Sequence, residues 1–112
     1  MTQDAKKALL GMLGLCRRSG NLICGSELVC AELSAKEPPL LVIVAADASN
    51  ATVDKMTKKC FHYQVECSVV PLDTGELGHA IGKTGAIASV GVKDKNFAKR
   101  IGELANILKG TN

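Results

Sequence analysis

The stretch PLDTGELGHAIGKTGAIASVGV, residues 71–92, is the most informative part of the chain, because it predicts a capped helix, a loop and a strand in immediate succession. Asp73 and Glu76 have the spacing of a helix N-cap and its reciprocal N3 partner. The loop can approach a phosphate backbone closely, because glycines remove side chains where the chain turns. These glycines are Gly78, Gly82 and Gly85. Lys83 and Thr84 add a cation and a hydroxyl on what we expect to be exposed backbone.

Part of this stretch, GHAIGKT at residues 78–84, is similar to the phosphate-binding P-loop pattern GxxxxGK[ST]. Three residues separate Gly78 from Gly82, which is one too few. The lysine also lies where a helix ends and a strand begins, so no helix N-terminus faces a phosphate there. These two differences argue against nucleotide hydrolysis.

The length and composition predict a single domain spanning residues 1–112. The chain has 112 residues, 46% of them apolar, and no linker rich in Gly, Ser or Pro. Its N-terminal apolar residues are helix-periodic and interrupted by glycines, unlike a signal peptide. No apolar run approaches the roughly 18 residues of a membrane helix. We therefore expect a cytoplasmic protein with no membrane partner.

The cysteines and histidines give no support to an enzyme or a metal protein. Five cysteines make an odd number without a CxxC motif, which argues against a disulfide framework and a zinc site. We expect them to be small buried hydrophobic side chains. The segment Cys60-Phe61-His62 lacks the remaining ligands of a closed zinc site. The prediction is no catalytic residue, no metal and no cofactor.

The net charge is only +3, so whether the chain binds nucleic acid depends on where its cations lie. Three aromatic residues are too few to favour base stacking on an exposed sheet. Candidate phosphate contacts, each of which could equally be a solvated surface cation, are Arg17, Arg18, Lys36, Lys55, Lys58, Lys59 and Lys83. A second basic cluster on the last helix looks more like a solvated face.

Apolar periodicity predicts an alternation of helix and strand, repeated four times and closed by a helix. The predicted strands cover residues 21–24, 40–46, 65–69 and 87–92. The first helix ends at the stop Arg17-Arg18-Ser19-Gly20, and the second begins at Gly25 and continues until just before Pro38. The third begins close to Ser49, the fourth begins at Asp73, and the last covers residues 97–108. This order predicts an α/β protein, a three-layer α/β/α sandwich with a central four-stranded mixed sheet.

Several segments, taken in this order and spacing, resemble the kink-turn-binding ribosomal protein superfamily of archaeal and eukaryotic large subunits. They are LLVIVAADA at 40–48, VVP at 69–71, and ELG at 76–78 followed by Gly82 and a strand. More closely, LGLCRRSGNLICGSELV at 13–29 and DASNATVDKMTKKC at 47–60 are similar to the small bacterial YlxQ branch of RNA-binding proteins. The resemblance covers nearly the whole chain.

The resemblance implies three RNA-binding places: the start of the second helix, the start of the third, and the loop before the last strand. The predicted site residues there are Gly25, Ser26, Glu27, Cys30, Asp47, Ser49, Asn50, Gly82, Lys83, Thr84, Gly85, Ala86 and Ile87, joined by Arg17 and Arg18. Helix N-termini supply free amides and positive dipole to phosphates. A helix-capping role alone would also explain why an aspartate stands at position 47.

The chain departs from the superfamily at the second helix, where kink-turn binders usually carry Asn-Glu with Lys three residues after the Glu. Here these positions are Ser26, Glu27 and Cys30, so only the acidic residue is retained. Losing such base contacts would remove roughly 1–3 kcal/mol each.

The function predicted from the sequence is non-catalytic binding of structured RNA. The expected partner is ribosomal RNA, with the ribosome or translation factors as further partners, and we expect a monomer. The alternative is a protein-interaction module that keeps the fold but docks on a ribosomal or RNA-processing factor.

Overall fold

The computed structural model describes residues 2–110, which form five helices and four strands in alternation. In chain order they are α1 (Thr2–Arg18), β1 (Leu22–Cys24), α2 (Ser26–Leu33), β2 (Leu41–Ala45), α3 (Asn50–His62), β3 (Glu66–Val70), α4 (Thr74–Ala80), β4 (Ser89–Val92) and α5 (Lys95–Leu108). The predicted order of elements is confirmed.

The four strands form one mixed sheet in the order β1-β4-β2-β3. β2 runs parallel to β3, whereas β4 runs antiparallel to both β1 and β2. The registers place Ser89 opposite Val44 and Val90 opposite Cys24. As a result, the first residues of β4 lie beside the last residues of β1 and β2.

Helices cover both faces of the sheet, which confirms the three-layer α/β/α sandwich. On one face α1, α4 and α5 pack through apolar side chains that include Leu13, Leu77 and Ile101. On the other face α2 and α3 pack through side chains that include Val29 and Met56. β2 is buried along its whole length, as its unbroken apolar run predicts, because it faces helices on both sides.

Side-chain caps fix the starts of three helices. The Ser49 hydroxyl accepts a hydrogen bond from Thr52 N at 3.1 Å, which begins α3 where predicted. Asp73 and Glu76 form the predicted capping box of α4, with hydrogen bonds of 2.9 and 3.0 Å. Asp94 accepts from Phe97 N at 2.9 Å, so α5 begins at Lys95, before the first apolar residue of its pattern.

Other element boundaries also differ from the prediction, and hydrogen bonds explain two of them. α2 ends at Leu33, well before Pro38, because Ser34 already forms its C-cap and donates its backbone N–H to Glu32 O. β4 begins at Ser89 rather than Ile87, because the Ile87 N–H bonds to Thr74 O, outside the strand ladder, at 3.0 Å.

The five cysteines all lie within the described residues and are free thiols. Cys16 and Cys60 are buried as expected, whereas Cys24, Cys30 and Cys67 are half-buried. Burial raises the pKa of Cys16 to about 11, with smaller contributions from Asp94 and Cys24.

Candidate functional site

The three predicted RNA-binding segments lie at one end of the sheet. β1, β2 and β3 finish at this end and β4 starts there, because β4 is antiparallel to its neighbours while β3 is parallel to β2. We call the segments at this end, residues 25–27, 46–50, 71–74 and 82–88, the loop end. The starts of α2, α3 and α4 all belong to it.

The start of α2 is tied to the start of β4. Gly25 donates its backbone N–H to Ser89 O at 3.0 Å, and the hydroxyls of Ser26 and Ser89 lie 2.7 Å apart. Gly25 adopts φ 98°, a backbone conformation that favours glycine. No side chain among the described residues caps this helix, so its first amides face the loop end without a side-chain acceptor.

Thr74 joins two other segments of the loop end. Its backbone N–H donates to Asp47 Oδ1 at 2.8 Å, and its carbonyl accepts from Ile87 N at 3.0 Å. Asp47 therefore supports a helix start, but that of α4 rather than of α3, which follows it in sequence. It accepts from the first helical amide, next to the N-cap Asp73. The cap of α3 is Ser49 instead. Asn50, the first residue of α3, is exposed.

The loop of residues 82–87 begins with a Schellman motif that ends α4. Gly82 adopts φ 75°, and its N–H bonds to His79 O at 3.1 Å. The N–H of Lys83 bonds to Gly78 O at 2.9 Å. The N–H groups of Gly82 and Lys83 therefore already have acceptors within the protein.

The next part of the same loop is open to solvent. Residues 82–86 are all exposed, and Ile87 is half-buried. Within residues 2–110, the N–H groups of Thr84, Gly85 and Ala86 form no hydrogen bond. Three successive free amides beside Lys83 form a surface that suits an anion.

Backbone packs directly on backbone beneath this loop. A Cβ at Gly78 would overlap the carbonyl oxygen of Gly85. A similar contact joins α1 to α4, where a Cβ at Gly14 would lie 2.7 Å from the carbonyl oxygen of Ala80. A glycine in each helix therefore allows α1, α4 and the loop to approach one another.

The two predicted arginines have different environments. Arg17 Nη1 donates to Ile81 O at 2.5 Å, which holds the end of α1 against the end of α4. Arg18 is exposed. Arg17, Lys83 and Cys24 also line an open groove of about 350 Å³. Burial raises the pKa of the Cys24 thiol, and the positive charges of Arg17 and Lys83 oppose that shift.

Cys30 is placed differently from the other predicted site residues. It is half-buried, and its thiol donates to Met56 Sδ at 3.5 Å in the layer formed by α2 and α3. Glu27, by contrast, is exposed on the first turn of α2. The loop end thus brings together the polar residues predicted at the helix starts and in the loop before β4, while Cys30 packs below them and Arg17 and Arg18 lie at the end of α1.

Two residues that organise the loop end are absent from the predicted site, namely Thr74 and Ser89. Thr74 connects two loops through its backbone, which no side-chain pattern reveals. Ser89 is fully buried at the start of an otherwise apolar strand. A buried polar residue needs a partner, so this serine was a usable signal for a contact such as the one with Ser26.

Other kinds of site find no support in the part of the chain that the structure describes. No group of three or more His, Cys, Asp or Glu side chains there could hold a metal ion. No helix among residues 2–110 is long and apolar enough to cross a membrane.

Comparison with known proteins identifies the family of this chain. The model of the ribosomal protein L7Ae/L30e/S12e/Gadd45 family matches residues 7–102. The chain belongs to this family. This membership confirms the resemblance seen in the sequence.

Two L7Ae-family relatives are named RNA-binding protein YlxQ. The protein from Enterococcus faecium is 34% identical over 104 residues, which cover 93% of this chain and 97% of that protein. The protein from Bacillus subtilis (strain 168) is 34% identical over 90 residues, covering 80% and 87% respectively.

Two solved structures share the L7Ae-family fold. A Bacillus halodurans protein described as having unknown function is 35% identical, with a TM-score of 0.78 over 88% of this chain and 96% of that one. The Giardia lamblia 15.5kD RNA binding protein has a TM-score of 0.75 over 96% of this chain and 89% of its own. It is 16% identical, so it supports the fold alone.

Proposed function

We propose that this L7Ae-family protein binds structured RNA at the loop end without catalysing a reaction. The observation that carries the proposal is a set of hydrogen bonds at the loop end. They join the start of α2 to Ser89, and the start of α4 to Asp47 and Ile87. These bonds fix the loops relative to one another before a ligand arrives. The names of the two YlxQ relatives support RNA as that ligand.

Phosphate binding is assigned to the loop of residues 82–87. Lys83 is exposed, and the neighbouring N–H groups of Thr84, Gly85 and Ala86 form no hydrogen bond within the described chain. Amide donors together with a cation suit phosphate oxygens, and they carry no base preference of their own. This part of the surface would set the position of the RNA backbone.

Base recognition is assigned to the exposed polar side chains at the helix starts. Glu27 can accept hydrogen bonds from base amino groups, and Asn50 can both donate and accept. Asp47 is assigned a supporting role through Thr74, because its Oδ1 accepts from that amide and so holds the start of α4 at the loop end.

The RNA is proposed to be ribosomal, and a kink-turn-like fold would be held with fewer base contacts than usual. The Ser26 hydroxyl pairs with Ser89, and the Cys30 thiol pairs with Met56. Neither position offers the amide or ammonium that kink-turn binders usually present. A cytoplasmic, monomeric state stays a prediction.

The first test is to crosslink the protein to RNA in its own cell and to sequence the attached fragments. Structured ribosomal fragments recovered in this way are then labelled, and their affinity is measured by fluorescence anisotropy at several salt concentrations. We expect tighter binding than to a fully paired duplex of equal length, and an affinity that falls as salt rises.

Two results would contradict the proposal. One is binding to the recovered fragments that is no tighter than to the duplex. The other is co-purification with a protein partner that persists after ribonuclease treatment while no RNA crosslink is found, which would favour the protein-interaction module.

A further inference from the structure

A stripe of basic side chains runs along the exposed face of α3. Lys55, Lys58, Lys59 and His62 follow the spacing i, i+3, i+4, i+7, which places them on one side of a helix. Lys55, Lys58 and Lys59 are exposed, as is His62. Lys58 Nζ pairs with Asp54 Oδ2 at 2.9 Å, whereas Lys55 and Lys59 form no ion pair among residues 2–110.

Exposed aromatic rings lie where this stripe ends. Phe61 is 87% exposed, the most exposed of the large hydrophobic side chains in the described chain. Tyr63, at the C-cap of α3, is 40% exposed and contacts the His62 ring edge-on, with centroids 4.8 Å apart. A phenylalanine with so little packing around it contributes little to the core, so its ring is available to a ligand.

The stripe is continuous with the loop end. α3 starts there at Asn50 and runs for 13 residues, so its last turn lies about 18 Å away along the helix axis. Lys55 lies about 1.4 turns after Asn50. An RNA strand that leaves the loop end along α3 would therefore meet cations first and the rings afterwards.

The other basic cluster of the chain lacks these features. On α5, Lys95, Lys99 and Arg100 are exposed, but Arg100 pairs with Glu103 at 3.4 Å. The aromatic residue of that helix, Phe97, is half-buried against the core. α5 also covers the opposite face of the sheet. It provides the same charge without exposed rings and without a start at the loop end.

We propose that α3 binds a single-stranded segment that flanks the structured RNA held at the loop end. The inference rests on the proposed function and extends its surface. Lys55 and Lys59 contact phosphates, and Phe61 stacks on a base. Cations that follow the backbone and aromatic rings that stack on bases are the two elements of single-strand recognition.

The test uses a ribosomal RNA hairpin recovered by crosslinking, prepared with and without an oligouridine tail of about eight nucleotides. Affinity is measured by fluorescence anisotropy for the wild type and for the α3 variant, Lys55→Ala/Lys59→Ala/Phe61→Ala. The matched control, Lys95→Ala/Lys99→Ala, removes the same charge from α5. The variant Phe61→Leu keeps an apolar side chain but removes the ring. Thermal unfolding checks that each variant folds.

We expect the tail to raise the affinity of the wild type and of the α5 control about tenfold. The α3 variant should lose this gain while binding the tailless hairpin within about twofold of the wild type, and Phe61→Leu should lose part of the gain.

Three results would overturn the inference while leaving the proposed function intact: no gain from the tail, a gain that survives in the α3 variant, or an equal loss in the α5 control. Loss of hairpin binding in the α3 variant would also overturn it, because the stripe would then contact the structured part. If the wild type fails to bind the hairpin at all, the proposed function fails and this inference fails with it.

Discussion

Gly78 of α4 lies directly against the carbonyl oxygen of Gly85, so that no side chain fits between the helix and the loop of residues 82–87. Gly78 is buried, whereas Gly85 is exposed, and no atom lies within 4 Å of the place that a Cβ on Gly85 would occupy. The two glycines therefore serve different purposes. Gly78 lets the loop pack on the helix, and Gly85 leaves the outer surface of the loop clear.

Gly78→Ala should lower the free energy of unfolding by about 1–3 kcal/mol, because the new methyl group overlaps backbone that has no rotamer to change. Urea unfolding measures this difference. RNA affinity should fall as well, since the loop must move. An unfolding free energy equal to that of the wild type would mean that the loop moves aside without cost.

Gly85→Ala is the matched change on the other side of the same contact. No atom lies within 4 Å of the added Cβ, so the free energy of unfolding should stay within about 0.5 kcal/mol of the wild type. RNA affinity should nevertheless fall, because the methyl group occupies the side on which a phosphate would approach. Unchanged affinity in a filter-binding assay would show that the RNA does not reach this surface.

Lys83→Ala should weaken RNA binding and reduce the slope of log affinity against log salt by about 0.7–0.9, the value for one phosphate contact. Lys99→Ala removes the same charge from the exposed face of α5 and should leave the slope unchanged. A salt titration of both variants measures the two slopes. Equal slopes would show that Lys83 contributes only general charge.

Arg17→Ala should lower the free energy of unfolding by about 1 kcal/mol, because the Ile81 carbonyl loses its charged donor. Arg18→Ala, at the next position, should change it by less than about 0.5 kcal/mol, since that side chain is exposed. Thermal unfolding of the two variants distinguishes them. A larger effect from Arg18 would contradict the different environments of the two arginines.

Asp47→Ala should cost about 1 kcal/mol of unfolding free energy, because the Thr74 amide loses its acceptor. Asp47→Asn keeps an oxygen at the same place and should lose less. If Asp47 acts on RNA only through Thr74, affinity should follow stability across the two variants. An affinity loss in Asp47→Asn without a stability loss would indicate a direct contact between the Asp47 carboxylate and RNA.

Stability should fall as the pH rises from 9 to 11, because of Cys16. The pKa of this thiol rises from 9.0 to about 11 on folding, so the unfolded chain releases its proton first and is favoured in that interval. Below pH 9 both states hold the proton and the effect vanishes. The loss should reach about 2 kcal/mol. Chemical unfolding at several pH values should show a flatter decline in Cys16→Ala.

The features that could be predicted from sequence are those whose partners are close in the chain. The Asp73 and Glu76 capping box spans three residues and is visible in the sequence itself. The unbroken apolar run of β2 indicates a strand covered on both faces for the same local reason. Ser49 likewise caps the helix that directly follows it.

The missed features depend on partners far apart in the chain. Arg17 bonds to a carbonyl 64 residues away, and Asp47 reaches an amide 27 residues away, so neither contact follows from local spacing. Cys30 turns inward because Met56, on the neighbouring helix, offers it a partner. The end of α2 was placed too late because no glycine or proline marks Ser34 as the stop.

The approach of Gly14 to Ala80 has a consequence for the energy of binding. α1, α4 and the loop are stacked main chain on main chain, with Gly14 and Gly78 at the two contacts. Peptide groups within helices have very little freedom, whereas side chains between elements can adopt several rotamers. The helices beneath the loop are therefore already ordered before a ligand binds. The conformational entropy that the protein loses on association should be small.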